Sequence, residues 1–349
     1  NRERFEQEFG VDPEVEASRA ERLARKPEDF RHTFRGNMDD CFKVGISIAG
    51  RQMRLFSSFY KSDILVCSPL GLRLVVGEEG DKKREFDFLS SLEIVILDQA
   101  DDFVMQNWAH VEAIMNAING IPSEDRGTDF SRVRNYLLDG QASAFRSLLV
   151  FCKGLTVDIH NLFLRHAKSI MGAIQVRPHH QGAVSRVMAN IRQIFYKVKI
   201  PSVEESDEAR YTFFVTKVAP TLEKYPRLLL FVPSYFDFVR LRSFFKDRLF
   251  SFAACSEYTP SAQVQKARQA FASGDKDILM VTERFYFFKR WKLPGANNFL
   301  FFGPPLHARF YPELINSVPS IHAHLSMCLF TDLDAPDLER VVGSDKAHH

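Results

Sequence analysis

The 349 residues are 45% apolar and 26% charged, with a net charge of +2. This composition excludes a disordered or fibrous chain, and the length suits two domains of about 150–180 residues better than one. A balance so near neutral excludes a uniformly basic nucleic-acid coat but allows a local basic face, and no apolar run approaches the ~18–20 residues of a membrane helix. Five scattered cysteines (Cys41, Cys67, Cys152, Cys255, Cys328) form no C-x-x-C pair. They argue against a disulfide framework or zinc knuckle and favour a reducing, intracellular setting. The chain opens on Asn1, with neither Met nor a charged-then-apolar leader, so further chain is expected upstream.

In chain order, residues 1–41 read as a helical and loop arm with mixed charge, broken at Pro13 and Pro27. From Phe42 the texture becomes short apolar, β-branched runs separated by helix-length segments. The runs fall at 42–48, 63–67, 92–97, 147–152, 191–198, 227–232, 277–281, 298–302 and 327–330. Continuous rather than alternating apolarity predicts strands covered on both faces, as in a parallel sheet flanked by helices. Between them, 107–118 places Trp108, Val111, Met115 and Ile118 on one stripe. Ser234, with Asp237 three residues on, opens a helix whose inner face is Phe238, Leu241 and Phe245. Thr259-Pro260 opens another, facing Val264, Ala267 and Phe271 inward and ending at Gly274. Asp334 and Pro336 start the last. The fold class is therefore α/β, with a first lobe at 42–177, a connecting segment at 178–190 where periodicity lapses, and a second lobe at 191–349.

Charge is uneven. Between 126 and 199 stand twelve Lys/Arg and three Asp, a net of +9 that leaves −7 for the rest. Two readings stay open: a solvated face or patch docking an acidic protein, or contact with a phosphate backbone through residues such as Arg132, Arg134, Lys153, Arg165 and Lys168.

The most informative run is 92–101, an apolar strand that ends in Asp98-Gln99-Ala100-Asp101. Open α/β sheets bind ligands at this edge of a strand, and in nucleoside triphosphatases such acids hold Mg²⁺ through water and polarise the attacking water. Gln99 brings an amide where a second acid would stand, and an amide is neither a base nor a source of negative charge. Taken alone, the run reads better as ordinary capping acids at a helix start. Upstream, Ala49-Gly50-Arg51 follows one strand, and Ser68-Pro69-Leu70-Gly71-Leu72-Arg73 follows the next.

With these turns in place the sequence resembles the DEAD-box RNA helicases, and the resemblance runs from about residue 42 to 343. It implies two tandem RecA-like parallel-sheet domains. Leu228–Val232 into Pro233-Ser234 is similar to the opening of the helicase C-terminal domain, Ile278-Leu-Met-Val-Thr282 to the approach to the fifth motif, and Phe299–Pro305 to the following strand and Pro-Pro turn. By this resemblance Gly50 and Arg51, the turn of Ser68, Pro69, Gly71 and Arg73, and Thr282 would touch an RNA backbone. The extra Leu70 shifts the aim of Arg73, and at each position a plain structural turn competes with RNA contact.

The departures from that family matter more. G-x-x-x-x-G-K-[ST] is absent from the 349 residues, although the family places it upstream of this region. Cys152-Lys153-Gly154 replaces Ser-Ala-Thr, Thr282-Glu283-Arg284-Phe285 replaces Thr-Asp and Arg-Gly-x-Asp, and His307-Ala308-Arg309 keeps only part of the arginine-finger motif. One lost finger alone can cost ~10³–10⁵ in phosphoryl transfer. This combination resembles a degenerate helicase-like family of the small-subunit processome, the digestive organ expansion factor family. The strings that carry it are Asp63-Ile-Leu-Val-Cys-Ser-Pro-Leu-Gly-Leu-Arg73, Asp98-Gln-Ala-Asp-Asp-Phe-Val-Met-Gln-Asn-Trp108 and Phe231-Val-Pro-Ser-Tyr-Phe-Asp-Phe-Val-Arg240.

The resemblance implies a protein of the nucleus and nucleolus that binds pre-ribosomal RNA, a small nucleolar ribonucleoprotein and other processome proteins, with vestigial Asp98–Asp101 and no ATP turnover. The alternatives are an active ATP-dependent RNA helicase with its phosphate loop upstream, and a purely protein-docking scaffold. No cofactor, metal, membrane or small-molecule substrate is expected. His179-His180 and His322-Ala-His324 lack a third ligand at zinc spacing. The terminal His348-His349 read either as native residues or as a tag remnant. Phe213-Phe214 and 285–288 could stack bases but read better as core.

Overall fold

The computed structural model describes residues 1–78, 84–317 and 324–347. Its two compact units are 1–153 with 157–175, and 154–156 with 176 onward. His322 and His348-His349 lie outside the described residues.

The first unit begins with an arm of three helices, Arg2–Phe9, Pro13–Ala24 and Glu28–Thr33. Asp12 caps the second by accepting the Glu14 amide at 2.8 Å, and Phe9 sets the first against Phe42 at 4.5 Å between ring centroids. Strands β1 (Lys43–Ala49), β2 (Gln52–Leu55) and β3 (Ile64–Cys67) form one sheet in the order β2-β1-β3. Both pairings are antiparallel. This corrects the all-parallel expectation for the first lobe. Ala49 pairs with Gln52, so Gly50-Arg51 is a two-residue hairpin, and Gly50 takes the positive φ of +61° that such a turn demands. β4 (Ile94–Leu97) and β5 (Ser147–Val150) pair parallel in a sheet of their own. Leu65, Val95, Leu97, Leu148 and Val150, from β3, β4 and β5, pack on a buried cluster built from Val76, Leu89, Val111, Ile114, Met115 and Leu162. The helices of this layer are Pro69–Val76, Trp108–Ala117 and Val157–His166.

The second unit holds the parallel sheet that continuous apolarity predicts. Its strands are β6 (Arg192–Lys197), β7 (Leu228–Val232), β8 (Phe252–Cys255), β9 (Ile278–Thr282), β10 (Asn298–Phe301) and β11 (Leu325–Phe330), in the order β6-β11-β10-β7-β9-β8. All five residues of β7 and of β9 are buried, because crossover helices cover both faces. Ser234 accepts the Asp237 amide and starts the helix Tyr235–Asp247, which buries Phe238, Leu241 and Phe245 as its spacing predicts. The helix Ser261–Ser273 ends at Gly274 with φ +96°. Its cap differs from expectation: Thr259 spends its hydroxyl on the Ser256 amide and Pro260 takes the N-cap.

Phe214, Phe285 and Phe287 are buried, so the aromatic runs fill core instead of presenting rings. Phe213 is only part-buried, packed against the second core cluster. The segment expected to join the lobes is packed on this unit, through the His180 amide to Ser344 and Asn316 to the Arg186 carbonyl.

Candidate functional site

The Asp98–Asp101 turn follows β4 directly. Gln99 sits in the left-handed region, φ +53° and ψ +48°, at the N-cap of the helix Ala100–Met105. For a side chain without a short local acceptor that conformation costs roughly 1–2 kcal/mol. It points the chain back so that the Ala100 amide reaches the Phe151 carbonyl at 2.9 Å and Asp101 Oδ1 accepts the Lys153 amide at 3.1 Å. Asp101 is 4% exposed and Asp98 is exposed. Of the two acids, one fastens the loop after β5 and the other faces solvent. The loop that carries Cys152-Lys153-Gly154 is thus still tied to the Asp-Gln-Ala-Asp turn, through its backbone.

Ser68 caps the helix Pro69–Val76 by accepting the Gly71 amide at 3.0 Å, and its hydroxyl donates to the Asp40 carbonyl. Gly71 is required here because a Cβ would meet the Phe42 carbonyl oxygen at 2.4 Å. Arg73 turns back on its own helix, donating to the Gly77 carbonyl and lying 3.9 Å from Glu78. The Ser68 turn adjoins Phe42 at one end of β1, whereas Gly50-Arg51 closes the hairpin at the other end. The seven residues of β1, about 24 Å, separate them, so the two turns lie at opposite ends of this strand.

The basic residues of the first unit divide in the same way. Arg134 pairs with Glu93 at 2.8 Å, Arg126 lies against Glu85 and Glu124, and Arg146 is buried with its guanidinium on Asn119 and the His166 carbonyl. Arg132, Lys153, Arg165 and Lys168 are exposed. Lys153 follows the carboxyl end of β5. The Arg146 bond to His166 places the Arg165–Lys168 stretch at the opposite end, about 20 Å away.

At the carboxyl edge of the second sheet, Thr282 is 1% exposed. Its hydroxyl accepts the Phe285 amide and donates to Glu257 at 2.8 Å, so it caps the helix Glu283–Lys289. Glu283, also 1% exposed, accepts the amides of Leu306 and His307, each at 3.0 Å. His307 stacks on Phe310 at 5.0 Å. The helix Phe310–Asn316 supplies Glu313, and Arg290 points to it at 2.6 Å while lying 4.3 Å over the Phe310 ring. The Tyr286 hydroxyl donates to the same Glu313; burial and the nearby carboxylate push its pKa far up, so it remains a donor. Arg210, buried, joins Asp334 at 2.6 Å. Each acid and arginine named along this edge is already committed to a partner within the unit.

Two family profiles cover nearly the whole chain: "UTP25, NTP hydrolase-like domain" matches residues 1–174, and "Utp25, C-terminal domain" matches 183–349. The chain belongs to the Utp25 family. It is 40% identical over 99% of its length to the U3 small nucleolar RNA-associated protein 25 homolog of Xenopus tropicalis, covering 46% of that protein. It is 38% identical over 98% of its length to U3 small nucleolar RNA-associated protein 25 of Schizosaccharomyces pombe, covering 53% of that one. The chain therefore spans about half the length of the curated relatives it matches. Among solved structures, a DEAD box protein from Methanococcus jannaschii is similar over 93% of this chain and 75% of that one, at 18% identity and a TM-score of 0.36.

Within this Utp25 chain, sequence reasoning singled out Asp98–Asp101 and Thr282 but assigned no role to Glu283, Arg290 or Glu313. The signal for Glu283 was present: an acid one residue past a fully apolar strand, ahead of a Pro-Pro turn with open amides. Arg290 and Glu313 lie 23 residues apart, and nothing in the spacing joins them.

Proposed function

We propose that this chain is the helicase-like part of a U3 small nucleolar RNA-associated protein that acts in the nucleolus, in pre-ribosomal RNA processing and small-subunit assembly, as an RNA-binding scaffold without ATP turnover. The names of its Utp25 relatives support the setting. The single observation that carries the loss of catalysis is the strand end after β4. Asp101 is buried and holds the Lys153 amide, and Gln99 brings no charge beside it, which leaves Asp98 alone of the two acids facing solvent. In the second unit Glu283 is likewise spent on the amides of Leu306 and His307. Magnesium-assisted phosphoryl transfer needs acids free to face a metal and water. The test is ATP hydrolysis by the full-length protein, with and without RNA, against the variant Asp98→Ala/Asp101→Ala. Equal background rates support the reading, and RNA-stimulated turnover lost in the variant refutes it.

The RNA-binding half rests on the exposed Arg132, Lys153, Arg165 and Lys168. Four phosphate contacts to a single strand predict about a 50-fold loss of affinity between 50 and 200 mM salt. The ion pairs of Arg126 and Arg134, and the separation of Lys153 from Arg165 and Lys168, favour as second reading a scaffold that docks proteins alone. That reading predicts no gel shift with single-stranded RNA at either salt.

A further inference from the structure

Aromatic rings and cations meet at the end of the first unit where β4 and β5 begin. The short helix Ala142–Phe145 leads through Arg146 into β5. The Ala144 carbonyl accepts the Ile170 amide at 2.9 Å, and Arg146 donates to the His166 carbonyl at 2.8 Å, so residues 144–146 and 166–170 lie beside each other. The Phe145 ring is 44% exposed and rests on Tyr136, with centroids 4.3 Å apart and planes 23° from parallel. Arg134 braces that pair. It donates to the Tyr136 hydroxyl at 2.9 Å and to Glu93, the residue before β4, at 2.8 Å. A lone exposed Phe is ordinary, but here the ring is held in a fixed plane by a second ring and a guanidinium. Arg132, Arg165 and Lys168 are exposed around it and form no ion pair among the described residues.

We propose that this surface binds single-stranded RNA, with an unpaired base stacked on Phe145 and phosphates meeting Arg165, Lys168 and Arg132. The inference rests on the RNA-binding reading above and gives it a place: the end of β4 and β5 opposite the Asp98–Asp101 turn. It uses none of Gly50, Arg51, Ser68, Arg73 or Thr282, the positions that the helicase resemblance picks out. The pairing of ring and cation selects the ligand. Every base has a flat face that stacks on an aromatic ring, worth about 5- to 150-fold in affinity per base, and the cations supply the matching phosphate contacts. An acidic protein segment would satisfy the cations but leave the braced ring without a flat partner. A duplex offers bases that are already stacked, so the ring favours an unpaired strand. Arg134, expected from the sequence among the phosphate contacts, is here a positioning residue, because its guanidinium is taken up by Glu93 and Tyr136.

The test follows the fluorescence anisotropy of a labelled oligouridine of about 20 nucleotides, titrated with the full-length protein at several salt concentrations. Phe145→Leu keeps an apolar side chain but removes the ring. It is expected to weaken binding about fivefold or more at an unchanged salt slope, and Phe145→Trp to stay within about twofold of the parent. Replacing Arg165 and Lys168 together by Gln is expected to lower the slope by about 1.4, at ~0.7 for each phosphate lost. A parent that binds no RNA would overturn the RNA-binding reading and this inference together. A parent that binds, with Phe145→Leu within about twofold of it or with an unchanged slope in the double variant, would overturn this inference alone. A measurement on the unaltered protein guards against misfolded variants. The same oligomer carrying 4-thiouridine is expected to give photo-adducts on Tyr136 or Phe145, and adducts confined to residues outside 130–171 would overturn the inference.

Discussion

Replacing Glu283 by Ala tests whether this acid is structural. It is 1% exposed and accepts two backbone amides at 3.0 Å, with the His307 ring nitrogen at 3.4 Å. Alanine would leave both amides buried without an acceptor, at about 1–3 kcal/mol each, and the return of the carboxylate's own desolvation offsets part of that. The expected net loss is about 3–5 kcal/mol. With a urea slope near 2 kcal/mol/M for a unit of this size, the midpoint should fall by about 1.5–2.5 M. Glutamine keeps one acceptor oxygen but turns a donor toward the second amide, so Glu283→Gln should lose about 1–3 kcal/mol. Trp291, 6.4 Å from the Phe285 ring beside Glu283, reports on this unit by fluorescence once Trp108 is replaced by Phe. Midpoints for Glu283→Ala within about 0.3 M of the parent would show that the carboxylate is not holding the 306–307 turn, and the reasoning about committed acids would fail with it.

Gly71→Ala should destabilise by about 1–3 kcal/mol in thermal or urea unfolding, although alanine is the better helix former, because its Cβ would sit 2.4 Å from the Phe42 carbonyl oxygen. Gln99→Gly should gain roughly 0.5–1 kcal/mol by relieving the left-handed backbone, and Gln99→Val should lose about 1–2 kcal/mol; equal stabilities would remove the strain argument. Burial, with Asp207 adding to it against the pull of Arg210 and Arg240, raises Asp237 to about 6. A raised carboxyl favours the folded state when protonated, so its penalty is present above pH 6 and fades as pH falls toward 4. Asp237→Asn should therefore stabilise by about 1–3 kcal/mol at pH 8 and by nothing measurable at pH 4, read from melting curves across that range.

The second unit was legible because its strands are apolar at every position and their helices carry written caps, as at Ser234 and Gly274. Strand β8 escaped notice, since Phe-Ala-Ala-Cys is short, weakly β-branched and lies at a sheet edge. The first unit misled for a physical reason. Continuous apolarity reports that both faces of a strand are meant for burial, but it is silent on direction. The two-residue turn at Gly50-Arg51 was the feature that fixed β1 and β2 as a hairpin. Of the candidate site, residue identity and strand-end position could be read from the sequence. Whether an acid ends on a backbone amide or faces solvent depends on loops such as 152–154 and 305–307, whose course no spacing records.

Arg290 ties neighbouring elements into one unit of stability. Its guanidinium lies on Phe310 and is clamped by Glu313, which also accepts the Tyr286 hydroxyl, so removing the Glu313 carboxylate would deprive a buried charge and a buried phenol of the same partner. Substitutions at these positions are therefore coupled, and their effects on stability would not add.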